Sequence, residues 1–139
     1  MNDRAFVDTN VLVYGHDLDA GRKYEIAGRL LRELWQDHSG VISTQVLQEF
    51  YVNVTRKISA PISTSEARGN VSTYAAWQVE IIQPADVLQA SEVQERYQLS
   101  FWDAMIVVAA AKGQAAVLLT EDLNPGQIIE GVQISNPFL

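Results

Sequence analysis

The sequence predicts an α/β fold: a mainly parallel, twisted central sheet flanked by helices. Three observations carry that reading. Short apolar runs alternate with longer amphipathic stretches along the chain, the pattern of strands joined by crossover helices. Acidic residues stand just beyond two of the apolar runs, Asp8 immediately and Glu121-Asp122 after Thr120, and open α/β sheets bind ligands beyond the carboxyl ends of their strands. One stretch, Ala104 to Ala111, is apolar on every helical face, as a helix buried inside such a fold would be.

Taken in order, Ala5-Phe6-Val7 is a short apolar run before polar residues and predicts a buried strand. Leu18 to Gly21 is a polar break. Lys23 to Trp35 places Ile26, Leu30, Leu31 and Leu34 at helical spacing. Gly40 punctuates, and Val41-Ile42 predicts a second strand. Thr44 to Lys57 is helical, with Val46, Leu47, Phe50, Tyr51 and Val54 on one side. Pro61 closes that element. Ser63 or Thr64 is placed to cap a helix towards Trp77, with Glu66 completing a capping box. Val79 to Ile82 is strand-like and stops before Pro84. Ala85 to Tyr97 predicts an amphipathic helix. Trp102 to Lys112 predicts the buried one, ended by Gly113. Ala116 to Leu119 and Val132 to Ile134 predict two further strands.

No repeat, low-complexity segment or linker divides the 139 residues, so a single domain over 1–139 is expected. The composition is ordinary for a globular protein, and the length buries a core without staples. The absence of cysteine excludes disulfides and thiolate metal sites. It fits a reducing compartment, and with no leader pattern at Met1-Asn2-Asp3-Arg4 a cytoplasmic protein is expected. The apolar run from Ala104 is too short to span a bilayer. The net charge of −7 argues against a passive nucleic-acid-binding module, which carries a basic footprint. It argues less against an enzyme that collects cations with clustered carboxylates.

Four acids are the candidates for chemistry, and each has a plainer alternative. Asp8 stands at the end of the first strand, as a ligand-site carboxylate or as a helix N-cap or turn residue. Glu49 lies beside the apolar stripe of its helix, where taken alone a solvated surface glutamate is the favoured reading. Asp103 begins the apolar helix, where a charge is costly unless it is paired, hydrogen-bonded or metal-bound. Ser100-Phe101-Trp102-Asp103 also matches a capping box. Asp122 and Glu121 both follow the Val117-Leu118-Leu119 strand, and spacing does not choose between them; a turn at Asn124-Pro125-Gly126 is the alternative. If the four acids meet at one sheet end, their repulsion resists full ionisation. Mg²⁺ or Mn²⁺, which take oxygen ligands, would relieve it. His16 and His38 are not at zinc-ligand spacing and are expected to be surface or turn residues. No P-loop, dinucleotide fingerprint or nucleophile elbow is present.

The motifs around these acids resemble one family. Phe6-Val7-Asp8-Thr9-Asn10-Val11-Leu12 resembles the first motif of PIN-domain nucleases. Ser43-Thr44-Gln45-Val46-Leu47-Gln48-Glu49-Phe50 resembles the second, Phe101-Trp102-Asp103-Ala104 the third, and Leu118-Leu119-Thr120-Glu121-Asp122 the fourth. The resemblance covers nearly the whole chain. It implies a ribonuclease that cuts single-stranded RNA with metal-activated water. Asp8, Glu49, Asp103 and Asp122 would be the acidic quartet, with Asp8, Asp103 and Asp122 as ligands of Mg²⁺ or Mn²⁺. It favours Asp122 over Glu121, because the family's acid stands two residues after a hydroxyl residue, here Thr120. Asn10, Ser43 and Thr120 match accessory polar positions, which would hold carboxylates or metal-bound waters. Members of this size are commonly the toxin half of a toxin–antitoxin pair, in the VapC-like group.

Other expectations follow from the residues themselves. Arg22 and Lys23, and Arg56 and Lys57 at the end of the Glu49 helix, are candidate RNA phosphate contacts, with solvated surface charge as the alternative. Trp35, Phe50, Tyr51, Tyr74 and Trp77 are mostly core, and some are candidates for an exposed patch serving a homodimer and a small antitoxin. A non-catalytic PIN-like binding module and a structure-specific DNA nuclease are the competing functions. A haloacid-dehalogenase phosphatase is disfavoured, since position 10 is Asn where that chemistry needs Asp.

Overall fold

A computed structural model describes residues 2–139. Strand β1 (Ala5–Val7) leads into a short helix α1 (Thr9–Tyr14), a 3₁₀ turn (Leu18–Ala20) and the long helix α2 (Arg22–Asp37). Strand β2 (Gly40–Ser43) runs straight into α3 (Thr44–Val52), whose last turn widens into a π-helical segment (Asn53–Lys57). Then come α4 (Thr64–Tyr74), β3 (Gln78–Glu80), α5 (Pro84–Tyr97) and α6 (Phe101–Lys112). Strands β4 (Val117–Leu119), β5 (Ile128–Ile129) and β6 (Val132–Ser135) complete the chain.

One sheet holds all six strands in the order β3-β2-β1-β4-β6-β5. Every neighbouring pair is parallel except β5 with β6, as expected of strands joined by crossover helices. The chain builds outward from β1 through β2 and β3, then returns to the opposite side of β1 with β4. The strand order therefore reverses between β1 and β4, the place where such sheets open a crevice at their carboxyl ends.

Local signals set most boundaries. Ser43 accepts from Val46 N, Ser63 from Glu66 N and Ser100 from Asp103 N, each capping the helix that follows. At α5 the cap is reciprocal, with Asp86 accepting from Gln83 N at 2.8 Å. Gly40 is obligatory: a Cβ there would lie 2.5 Å from the Trp77 ring. Two elements escape the pattern reading. Helix α1 has only six residues, β-branched Val11 and Val13 among them. The Asp8 cap and the burial of Val11, Leu12 and Val13 hold it. Strand β5 is two residues long and pairs back through Glu130 (φ 51) and Gly131 (φ 81), the paired positive φ angles of a tight hairpin.

The core lies on both faces of the sheet, around Phe6, Val41, Ile42 and Leu118, against Leu31 and Phe50. Ala104 to Ala110 of α6 are all buried, as the all-round apolar pattern requires. Phe50 and Tyr74 are buried, and Trp77 packs edge-on against Tyr74 and Trp35. Of the aromatic residues considered for an exposed patch, Tyr51 alone lines an open apolar groove, of about 480 Å³, with Leu47, Val52 and Val71. His16 occupies the turn after α1, as the sequence reading expected, although its ring faces inward. It is packed against Phe50 and Tyr74, with Nε2 2.6 Å from the Tyr74 hydroxyl, and burial lowers its pKa. His38 also occupies a turn, as the left-handed cap of α2. Among the described residues no helix is long and apolar enough to cross a membrane.

Candidate active site

Val7 of β1 is paired with Leu119 of β4, so the next residue of each strand, Asp8 and Thr120, stand side by side beyond the sheet. Both are buried. Asp8 Oδ1 accepts from Thr9 N at 2.7 Å and caps α1, while Oδ2 accepts from Thr120 Oγ1 at 2.7 Å. The capping role and a role in the crevice therefore fall to different oxygens of one carboxylate. Burial, the largest influence, raises the Asp8 pKa to about 6. The bonds from Thr120 and Thr9 oppose that rise, and the charges of Asp122 and Asp103 add to it. Desolvation thus outweighs the repulsion that the sequence made the leading cause.

The other three acids reach the same pocket, of about 130 Å³, from three directions. Glu49 comes from α3, half-buried, with Oε1 accepting from Thr9 Oγ1 at 2.7 Å. Asp103 comes from the first turn of α6. Among the described residues its expected capping box forms on one side: Asp103 N donates to Ser100 Oγ, and the carboxylate lines the pocket. Asp122 comes from the loop after β4. Its Oδ2 accepts from Asn10 Nδ2 at 2.8 Å and its N donates to Thr120 Oγ1 at 3.1 Å. Burial first, then the charges of Asp103 and Glu121, raise its pKa.

Glu121 turns the other way. It accepts from Lys23 Nζ at 2.7 Å and from the Tyr14 hydroxyl. Burial works to raise its pKa, but these two donors outweigh it and hold the carboxyl below its ordinary range. The choice between neighbouring acids that spacing left open is thus made by opposite side-chain directions.

The accessory and basic positions divide. Thr120 bridges Asp8 and the backbone of Asp122, and Asn10 holds Asp122. Ser43 does not join them: its hydroxyl accepts from Val46 N at 3.3 Å at the start of α3. None of the four candidate RNA contacts lines the pocket. Arg22 donates to Phe138 O at 3.1 Å, and Lys23 is committed to Glu121 and stands over the Tyr14 ring. Arg56 and Lys57 are exposed on the π-helical segment.

Five pocket residues were not among the candidates: Thr9, Gln45, Asn53, Trp102 and Ile106. Gln45, Glu49 and Asn53 follow one another at four-residue steps, so they share one face, and that polar stripe was the available signal. Asn53 belongs to the π-helical segment and its Nδ2 donates to Glu49 O at 2.7 Å; such segments recur at functional sites. Gln45 is buried, yet neither its amide nitrogen nor its amide oxygen has a partner within the protein. A buried amide left unpaired costs about 1–3 kcal/mol. Trp102 is 63% exposed at the rim.

Among the described residues, no three His, Cys, Asp or Glu side chains stand close enough to enclose a metal ion by themselves. The carboxylates surround a space instead of closing on a point.

Comparison with known proteins agrees with the geometry. Residues 5–128 match the family model described as PIN domain. No curated protein sequence matches the chain significantly. Among solved structures, a toxin–antitoxin complex from Klebsiella pneumoniae is 25% identical, with a TM-score of 0.67 over 96% of this chain and 97% of that one. VapC20 of Mycobacterium tuberculosis, described as a sarcin–ricin loop cleaving toxin, is 21% identical, with a TM-score of 0.66 over 85% and 91%. DNA-bound VapBC from Salmonella typhimurium is 16% identical, with a TM-score of 0.65 over 97% and 98%. The latter two likenesses concern the fold.

Proposed function

Because this chain belongs to the PIN-domain family, we propose that it is a metal-dependent endoribonuclease that cleaves single-stranded RNA, the toxin half of a VapC-like toxin–antitoxin pair. The observation that carries the reading is the convergence of Asp8, Glu49, Asp103 and Asp122 on one pocket at the strand-order reversal. No cysteine is present and no histidine lines the pocket, so carboxylates are the only ionisable side chains there.

Asp8, Asp103 and Asp122 would hold Mg²⁺ or Mn²⁺. The all-oxygen donor set and the raised pKa values of Asp8 and Asp122 fit a divalent cation, which offsets their charge. When bound, such an ion supplies acidified water and counter-charge for the phosphate. The remaining work falls to the protein. Thr120 fixes the orientation of Asp8 and, through its bond from Asp122 N, the start of the loop that carries Asp122. Asn10 holds the outer carboxylate oxygen of Asp122. Glu49, steadied by Thr9, faces the pocket without a cationic partner among the described residues and is positioned to accept a proton from attacking water. Of the four candidate basic residues, Arg56 and Lys57 are the exposed pair left to meet RNA phosphates.

The partner reading rests on the likeness to toxin–antitoxin complexes. The apolar groove between α3 and α4, edged by Tyr51 and Arg68, offers a small antitoxin a surface. A homodimer is proposed beside it, tested by light scattering; a monomer at all concentrations removes that part.

The second reading is a non-catalytic PIN-like module, favoured by the lack of a closed ion cage among the described residues. One experiment separates the two. Purified protein is incubated with single-stranded RNA in Mg²⁺, Mn²⁺ or EDTA, beside Asp8→Ala, Asp103→Ala and Asp122→Ala. Cleavage that needs metal and is lost in each variant supports the nuclease. RNA binding without cleavage under every metal supports the module, and undiminished cleavage in EDTA removes the proposed mechanism.

A further inference from the structure

Beside the acid pocket lies a second, more apolar cavity of about 450 Å³, between the start of α3 and the start of α6. Phe101, Trp102, Met105 and Ile82 form its apolar walls, and Gln45 and Gln48 are among its polar residues. Gln45 and Trp102 line both cavities, so these two side chains stand where the cavities adjoin. Gln45 is 7% exposed, and its amide has an unused donor and an unused acceptor. Trp102 packs edge-on against Phe101, with ring centroids 5.3 Å apart, and leaves 63% of its surface exposed.

An apolar-walled space, an exposed indole and an unpaired amide match the two recognition surfaces of a nucleobase. Its face stacks on aromatic rings, and its edge presents adjacent donors and acceptors. A glutamine amide pairs bidentately with adenine.

We propose that this cavity is a nucleobase subsite, in which Trp102 stacks on the base next to the scissile phosphate and Gln45 reads its edge, with adenine preferred. The inference rests on the ribonuclease reading for its phosphate. It adds to that reading a residue that sets sequence preference and another that supplies affinity irrespective of sequence.

The probes are the four nucleoside 5′-monophosphates with Mg²⁺, which carry a phosphate and a base but no cleavable diester. Affinities are measured by calorimetry for wild type, Gln45→Leu and Trp102→Ala. The wild type is expected to bind AMP about tenfold tighter than CMP or UMP. Gln45→Leu is expected to erase that preference. Trp102→Ala is expected to weaken all four by about fivefold or more. Since Trp102 is on the surface, its variant reports even if the buried substitution disturbs folding. Equal binding of all four by wild type, a preference that survives Gln45→Leu, or no effect of Trp102→Ala each overturns the subsite. The ribonuclease reading is judged separately, by RNA cleavage. Cleavage without base preference sinks the subsite alone, and base preference without cleavage sinks the nuclease alone.

Discussion

Thr120 Oγ1 donates to Asp8 Oδ2 at 2.7 Å across 112 residues of sequence, and the same oxygen accepts from Asp122 N at 3.1 Å. One buried hydroxyl thus ties two of the four acids together. Thr120→Val keeps the shape and removes both bonds. Supporting residues of this kind typically contribute 10–100-fold to metal affinity or activity. The variant is expected to lose about tenfold or more in RNA cleavage, with a stability cost on the order of 1 kcal/mol, and Thr120→Ser is expected to restore most of it. Full activity in Thr120→Val would show that Asp8 is held by the fold alone.

Asp8 sets a pH dependence with a defined sign. Its folded pKa, about 6, lies above its ordinary value of 3.8. The folded state therefore holds the proton more tightly, and stability is lost as pH rises from about 4 to about 6 and is constant beyond. Asp8→Asn lacks this loss. In EDTA at pH 7 it is expected to melt higher than wild type, by a margin on the order of 1 kcal/mol, and the margin is expected to vanish near pH 4. The contribution of His16 runs the other way but is common to both proteins, so the difference isolates Asp8. A variant that melts lower at pH 7 would mean that the helix-capping bond to Thr9 N outweighs the buried charge.

Metal should act on stability as well as on rate. A ligand of the native state at a hundred times its Kd stabilises by about 2.7 kcal/mol. Saturating Mg²⁺ is expected to raise the melting temperature of wild type and to raise that of Asp103→Asn less. Calorimetric scans of both proteins in Mg²⁺ and in EDTA decide the matter: equal gains would assign Asp103 to the start of α6 and not to the ion.

The basic residues separate by what they already touch. Arg56 and Lys57 are exposed, whereas Lys23 is paired with Glu121 and Arg22 with the Phe138 carbonyl. Replacing Arg56 and Lys57 by Ala is expected to shallow the salt dependence of RNA binding by about 0.7 per lost contact. Replacing Arg22 and Lys23 is expected to loosen the C-terminal segment and leave the slope unchanged, measured by titration over a salt series. A changed slope in the second pair would place RNA along α2.

The fold class was legible because periodicity survives in the chain. Alternating runs marked five of the six strands and five of the helices, and α6 announced its burial by having no polar face. What escaped was local and short. Helix α1 carries too few residues to show a period, and β5 too few to show an alternation; both exist because neighbours cover them. Gln45 and Asn53 were overlooked because polar residues beside an apolar stripe look solvated until a second helix arrives.

By itself the sequence determined which carboxylates are available, at which strand and helix ends they stand, and that no cysteine or competing nucleophile motif accompanies them. Tertiary structure alone decided which of them meet. Strand β4 adds to β1 on the side away from β2, and the Val7–Leu119 register then sets Thr120 against Asp8. It turned Asp122 inward and Glu121 out to Lys23, and it gave Ser43 to a helix cap. The physical reason is that strand order and side-chain direction are settled by packing between residues far apart in the chain. A pattern of neighbours records which face an element buries, but not which element comes to cover it.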